Sequence, residues 1–245
     1  VIEVESSNRE LFMTHFFSLL VAFMTTMPAL AETLVSVEAA PMSAEFFKAY
    51  VPAGFDSNDN VQFVGEGLMR NTCYHSAPPA VTVDENTKTV MIGPSAFAYS
   101  GLCLQVVLPF NRTVEVGLLS PGDYAIIQSA SGTRLNTIHV TAAIDHDVFA
   151  PIANATFHQV GARGQVTLSG NFPQSCWQIG KVKVTHQSDV IELWPLTKVD
   201  SSSTCIDGSY PFLKAIDVGQ LAKGRYLLYV RSLDSKDVAN LIDVR

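Results

Sequence analysis

Residues 109–124 read P-F-N-R-T-V-E-V-G-L-L-S-P-G-D-Y, and residues 211–226 read P-F-L-K-A-I-D-V-G-Q-L-A-K-G-R-Y. The skeleton P-F-x5-V-G-x-L-x2-G-x-Y is written twice, 102 residues apart. The correspondence extends outward from it. Cys103 and Cys205 each stand six residues before the Pro. Upstream, Gly67-x5-Cys73-Tyr74 matches Gly170-x5-Cys176-Trp177, and Val81-x-Val83 matches Val182-x-Val184. A period of ~100 residues is the size of a domain and far longer than a solenoid repeat. The 245 residues therefore divide into a first repeat at 33–143, a linker at 144–150 and a second repeat at 151–245.

Short strands fill both repeats. V-T-V-D-E-N-T-K-T-V-M-I (81–92) alternates, turns at Asp84 to Thr87 and alternates again, which predicts a hairpin. V-K-V-T-H-Q-S-D-V-I-E-L (182–193) repeats the plan with a turn at Gln187-Ser188. Further strands are predicted near 103–108, 113–117, 123–129 and 135–141, and near 205–207, 214–218, 225–232 and 238–244. Turn residues every 8–12 positions are the spacing of a sandwich or barrel. One short helix is predicted over Ser43–Tyr50.

Four cysteines at Cys73, Cys103, Cys176 and Cys205 allow three pairings. A repeat that folds by itself closes its own disulfide, which selects Cys73–Cys103 and Cys176–Cys205. Each bond closes a loop of about 30 residues, worth ~3–4 kcal/mol in the chain-entropy view. Four thiolates on a metal would call for a C-x2-C pair, and there is none.

The segment L-x2-G-x-Y, with Leu119, Gly122 and Tyr124 and again Leu221, Gly224 and Tyr226, resembles the tyrosine corner of Greek-key sandwiches. The chain is thus similar to immunoglobulin-like and fibronectin-III-like repeats, and G-x5-C-[YW]…C-x5-P-F…G-x-Y resembles repeats of exported bacterial envelope proteins. The resemblance implies an all-β chain of two tandem Ig-like antiparallel β-sandwiches, and carries no catalytic residues. Two positions after each Tyr stand Ile126 and Leu228 in place of the immunoglobulin cysteine, so the antibody-type disulfide is not implied. Pro109, Phe110, Gly122 and Tyr124, with Pro211, Phe212, Gly224 and Tyr226, are read as structural because they recur.

The N-terminal part predicts export. Met13 opens M-T-H-F-F-S-L-L-V-A-F-M-T-T-M-P-A-L-A, an apolar run of signal-peptide length ending in the small-x-small site Ala29-Leu30-Ala31. Residues 1–31 are read as an extension and signal peptide, with Met13 the expected start and cleavage near Ala31. The predicted destination is the periplasm or the exterior, where disulfides persist. No other stretch reaches 18 apolar residues, so no membrane span is expected in the mature chain. A net charge of −7 without a basic stripe argues against nucleic acid and against a polybasic membrane-surface patch.

No constellation for catalysis emerges. The sequence has no H-E-x-x-H and no G-x-S-x-G. Asp145-His146-Asp147 is the densest cluster of possible metal ligands, but three adjacent residues rarely converge on one ion, and a solvated linker is the simpler reading. No cofactor is expected. Function is expected where the repeats differ: at N-R-T-V-E against L-K-A-I-D, at Trp194, which has no aromatic counterpart, and in the stretch 194–204 with Lys198. The sequence thus predicts a non-catalytic binding protein that recognises a protein or glycan through loops or strand edges. The alternatives are a secreted protease or enzyme inhibitor presenting the 194–204 loop, and a metal-assisted hydrolase using residues 145–147.

Overall fold

A computed structural model describes residues 40–143, 148–202 and 204–245. The signal-peptide reading, with Met13 and Ala31, lies outside these residues, as do Asp145, His146 and Asp147. The described chain is all β, with a single 3-10 turn at Leu233–Ser235.

The first repeat contributes β1 (Ala40–Ser43), β2 (Phe46–Tyr50), β3 (Phe55–Asp56), β4 (Val61–Met69), β5 (Tyr74–Asp84), β6 (Thr89–Ala98), β7 (Leu108–Gly117), β8 (Gly122–Gln128) and β9 (Arg134–Thr141). The second contributes β10 (Ile152–Val160), β11 (Arg163–Gln174), β12 (Trp177–Gln187), β13 (Val190–Val199), β14 (Asp207–Gln220), β15 (Gly224–Val230) and β16 (Val238–Val244). Each repeat builds a three-stranded sheet, β2-β4-β7 or β10-β11-β14, and a second sheet with β5, β6, β8 and β9 or β12-β13-β15-β16. Both predicted hairpins are present, as β5–β6 and β12–β13.

The sheets are not purely antiparallel. Thr89–Ile92 of β6 run parallel to Ala125–Gln128 of β8, and β13 runs parallel to β15. In the immunoglobulin arrangement the third strand of the repeat lies beside the sixth. Here the fourth strand, β13, takes that place, and β12 is moved to the sheet edge. The sequence pattern specifies strands and faces but not which strand is the neighbour, so this order was not legible. The predicted helix over Ser43–Tyr50 is also replaced by strand. Phe46, Ala49 and Tyr50 are buried, and pairing of β2 with β4 overrides a weak helical preference.

Both disulfides pair as expected, Cys73–Cys103 and Cys176–Cys205. The recurring residues have physical reasons. Gly67 lies directly across from Phe110, and Gly170 across from Phe212. The Phe ring covers the Gly in each pair: a Cβ on Gly67 would stand 2.4 Å from Phe110, and one on Gly170 2.7 Å from Phe212. The glycine of G-x5-C and the phenylalanine of P-F are thus one cross-strand unit. A Cβ on Gly170 would also fall 1.9 Å from the Pro151 carbonyl, a backbone atom that cannot rotate away. Gly170→Ala is expected to lower stability by about 1–3 kcal/mol through overpacking, measured by urea unfolding. The repeated Val-Gly has a different cause. Gly117 (φ +95°) and Gly219 (φ +82°) occupy the left-handed half of conformational space with open room around them.

The tyrosine corners form in both repeats. The Tyr124 hydroxyl reaches the Ser120 carbonyl at 2.9 Å, and the Tyr226 hydroxyl reaches that of Ala222 at 3.0 Å. In the first repeat the β5–β6 turn closes on this corner as well. Lys88 donates to the Tyr124 hydroxyl at 2.9 Å, and Glu85 lies against it. Hydrogen bonds from Tyr124 and Lys88 hold the Glu85 carboxyl down at about 2.

The two repeats are packed together in one compact unit. One core gathers Phe63, Val90, Ile92, Val114, Ile126 and Ile138 from both sheets of the first repeat, and includes Val190, Leu227 and Tyr229 of the second. The other core holds Val166, Leu168, Ile191, Leu193, Leu228 and Val230. Alternate residues of β13 and β15 therefore enter different cores. The sheet they belong to has one face toward its own repeat and one toward the β2–β4 face of the other. Continuous runs such as Val190-Ile191-Glu192-Leu193 and Leu227-Leu228-Tyr229-Val230 are the signature of strands buried on both sides. Residues 148–150 belong to this packing. Ala150 is fully buried and bonds the Pro195 carbonyl at 2.7 Å, so this end of the expected linker is part of the fold.

Candidate functional site

Most residues singled out by the sequence serve the architecture. Trp194 is half-buried on β13, its ring edge-on to Phe149 at 5.9 Å and covering Gly54 of the first repeat. It is a joint between the repeats. Lys198 is exposed, but it stands in strand β13 opposite Gln178. The expected loop at 194–204 is therefore strand as far as Val199, and residues 200–206 connect onward to β14, with Ser203 outside the described residues. In N-R-T-V-E, Arg112 donates to the Ser76 carbonyl at 2.6 Å and to its hydroxyl at 3.0 Å. It closes the seam between β7 and β5. The matching residue, Lys214, is exposed.

Between the repeats lies a buried polar cluster that sequence reasoning missed. Arg231, 1% exposed, sits 3.1 Å from Asp59, 3.3 Å from Glu192 and 3.8 Å from Asp237. It donates to the Ala53 carbonyl at 3.2 Å and lies 4.5 Å from the centre of the Phe55 ring. Tyr229 donates to Asp237 and receives the Gln62 amide at 3.3 Å. Burial pushes the Glu192 and Asp237 carboxyls up; Arg231 opposes the shift at Glu192, and the Tyr229 hydrogen bond and Arg231 oppose it at Asp237. Two ion pairs reinforce the joint, Arg225–Glu66 at 2.7 Å and Lys48–Asp189. Arg231 is the cation that Asp59, Glu192 and Asp237 share. The cluster fits a clamp better than a reaction centre. Among the described residues no three His, Cys, Asp or Glu side chains gather as metal ligands.

The other site is apolar, and it belongs to one repeat alone. From Thr89 to Asn111 no charged residue occurs, whereas the matching span of the second repeat carries Glu192, Lys198, Asp200 and Asp207. Within it, L-C-L-Q-V-V-L (102–108) faces T-C-I-D-G-S-Y (204–210). Leu102 is fully exposed, and Leu104 (69%), Val107 (64%) and Val106 (47%) project into solvent. The strand predicted at 103–108 begins only at Leu108. Residues 102–107 instead form a braced knuckle. Cys103 is bonded to Cys73, and Leu104 accepts the Thr72 amide at 3.2 Å and donates to its hydroxyl at 3.0 Å. Val106 turns back to the Leu104 carbonyl at 2.9 Å, and Leu108 pairs with Met69. The second repeat has the same brace, Ile206 accepting the Ser175 amide at 3.0 Å and donating to its hydroxyl at 3.1 Å, and its ladder extends further, to Gln174 opposite Asp207.

The knuckle stands beside a groove of about 680 Å³ at the same end of the repeat, lined by Glu45, Phe47, Leu68, Met69, Arg70 and Tyr74. Phe47 and Leu68 are exposed there. Met69 pairs with Leu108, and Tyr74 follows the bonded Cys73, so knuckle and groove share a wall. Leu102, Leu104, Val106, Val107, Phe47 and Leu68 together leave exposed apolar surface at this end of the repeat. The sequence signal was the loss of charge in one repeat only. The two disulfides fit an extracellular or otherwise oxidising compartment, and among the described residues no helix is long and apolar enough to cross a membrane. No family model matches the chain, and neither does any curated protein or solved structure.

Proposed function

We propose that this chain is a non-catalytic interaction protein of an oxidising, extracytoplasmic compartment, in which two tandem β-sandwich repeats carry a recognition surface at the apolar end of the first. The observation that carries the reading is the set of apolar side chains on the braced knuckle at 102–108: the brace recurs in the second repeat, but only the first adds Leu102, Val106 and Val107 to it. Both repeats have the same disulfide, the same brace, the same Gly–Phe pair and the same tyrosine corner, and the second folds with Thr204, Gly208 and Ser209 in place of Leu102, Val106 and Val107, so the fold does not require those three to be apolar and exposed. Four apolar side chains held in water by a brace cost solvation free energy that only a partner recovers. The second repeat serves as a rigid base, locked to the first through Arg231 and Tyr229.

The test is capture of envelope proteins by the purified chain, compared with Leu104→Asp. Leu104 is exposed, so the substitution leaves both cores untouched. A partner retained by the unaltered chain and lost by the variant supports the reading. Equal capture by both, or turnover in a broad hydrolase screen, would sink it.

A further inference from the structure

We infer that the apolar end of the first repeat is a self-complementary contact, and that the partner it fits is a second molecule of this chain. The inference rests on the interaction reading above and names the occupant.

Three features converge. First, the surface is convex and concave side by side: the knuckle at 102–107 projects, and the groove of about 680 Å³ recedes next to it. A two-fold axis between them places each knuckle in the opposite groove, so one patch serves both molecules. Second, a stable pair needs ~800 Å² from each partner. A knuckle in a foreign pocket would leave the groove unused, whereas two-fold pairing covers both at once. Third, the two charged residues of the groove wall have opposite sign. Glu45 and Arg70 are exposed, and among the described residues neither has an ion-pair partner within its own chain. Across a two-fold axis, Glu45 of each molecule meets Arg70 of the other. The uncharged stretch from Thr89 to Asn111 supplies no competing charge. The second repeat keeps only Ile206 at the position of Leu104, and Thr204, Gly208 and Ser209 stand where the first has Leu102, Val106 and Val107, so its matching end is smaller and less apolar. Pairing therefore closes at two molecules.

The experiment is sedimentation equilibrium of the purified chain alone, over nanomolar to high micromolar concentration. The expected result is a dimer. Val107→Asp is expected to weaken it by at least about 100-fold, by bringing an unpaired carboxylate into a dry contact. Glu45→Arg alone and Arg70→Glu alone are each expected to weaken it by about tenfold or more, since each sets like charges opposite one another twice. Mixing these two variants restores both opposite-sign pairs and should restore association. That rescue is not expected if the substitutions merely disturb folding. A chain that stays monomeric throughout overturns the inference, and so does a dimer indifferent to Val107→Asp and to the charge exchange. If the chain is monomeric but Leu104→Asp still abolishes capture of an envelope protein, or binding to neutral lipid vesicles, the occupant is heterologous. The self-association inference then fails while the apolar end remains a contact surface. Loss of neither removes both readings.

Discussion

Replacing Arg231 with Met should destabilise the chain by about 3–5 kcal/mol, the range found when one member of a buried ion pair is removed. Met fills much of the space, so the loss is electrostatic more than steric. Glu192 and Asp237 remain in the interior without the cation that answers them, and Asp59 loses its 3.1 Å contact. The deficit carries a pH signature with a definite sign. Burial already holds both carboxyls above their ordinary values. A group whose folded pKa is raised contributes stability that is fully present below its unfolded pKa and is lost as pH rises through the folded one. Removing the guanidinium raises both folded values further and enlarges that loss. The Arg231→Met deficit in urea unfolding should therefore be larger at neutral pH than near pH ~5. A deficit independent of pH would mean that packing, and not charge, is what Arg231 supplies.

Loss of the Cys176–Cys205 bond by double replacement with Ala should cost about 3–4 kcal/mol, because the closed loop spans a separation of 29 residues. Cys176 is buried, so its truncation adds a small packing loss. The equivalent change at Cys73 and Cys103, with a separation of 30, should cost a similar amount and have a second effect that the first lacks. It frees one anchor of the knuckle, leaving Leu104 held only by Thr72. Stability should thus fall in both variants, but contact through residues 102–108 only in the second. Parallel urea unfolding and sedimentation separate the two effects. Equal contact in both variants would show that the brace does not shape the knuckle.

Much of this architecture could be read in the sequence because duplication supplies its own comparison. Residues that recur are those the fold requires, and the Gly67–Phe110 and Gly170–Phe212 pairs show why: a ring in one strand occupies the space a side chain would need in the next. The intra-repeat disulfides and both tyrosine corners followed from the same logic. What recurrence cannot reveal is the identity of a strand's neighbour. β12 alternates and β13 opens with a continuous apolar run, but neither pattern names the strand it pairs with, and the structure sets β13 beside β15. The joint was hidden for a different reason. Glu192, Arg231 and Asp237 are dispersed along the chain and read singly as surface charge, and only tertiary packing brings them together. Trp194 drew notice as an unrepeated aromatic. It belongs to this joint, against Phe149, Gly54 and Arg231. The knuckle is legible only as a difference in charge between the repeats, because Cys103 within it and Pro109-Phe110 after it recur and carry the shared pattern.

The strands β4, β13 and β15 have consequences for how the chain comes apart. Their side chains are enclosed on both faces, so separating the repeats would bring Val190, Leu227 and Tyr229 into water along with Arg231 and its carboxylates. Neither half can be released cheaply while the other stays folded. The duplicated chain should therefore melt as a single cooperative transition, with calorimetric and van't Hoff enthalpies in agreement. Its slowest-exchanging amides should lie in these central strands, at the seam between the repeats and not in the middle of either. Two repeats written to one pattern are thus, energetically, indivisible.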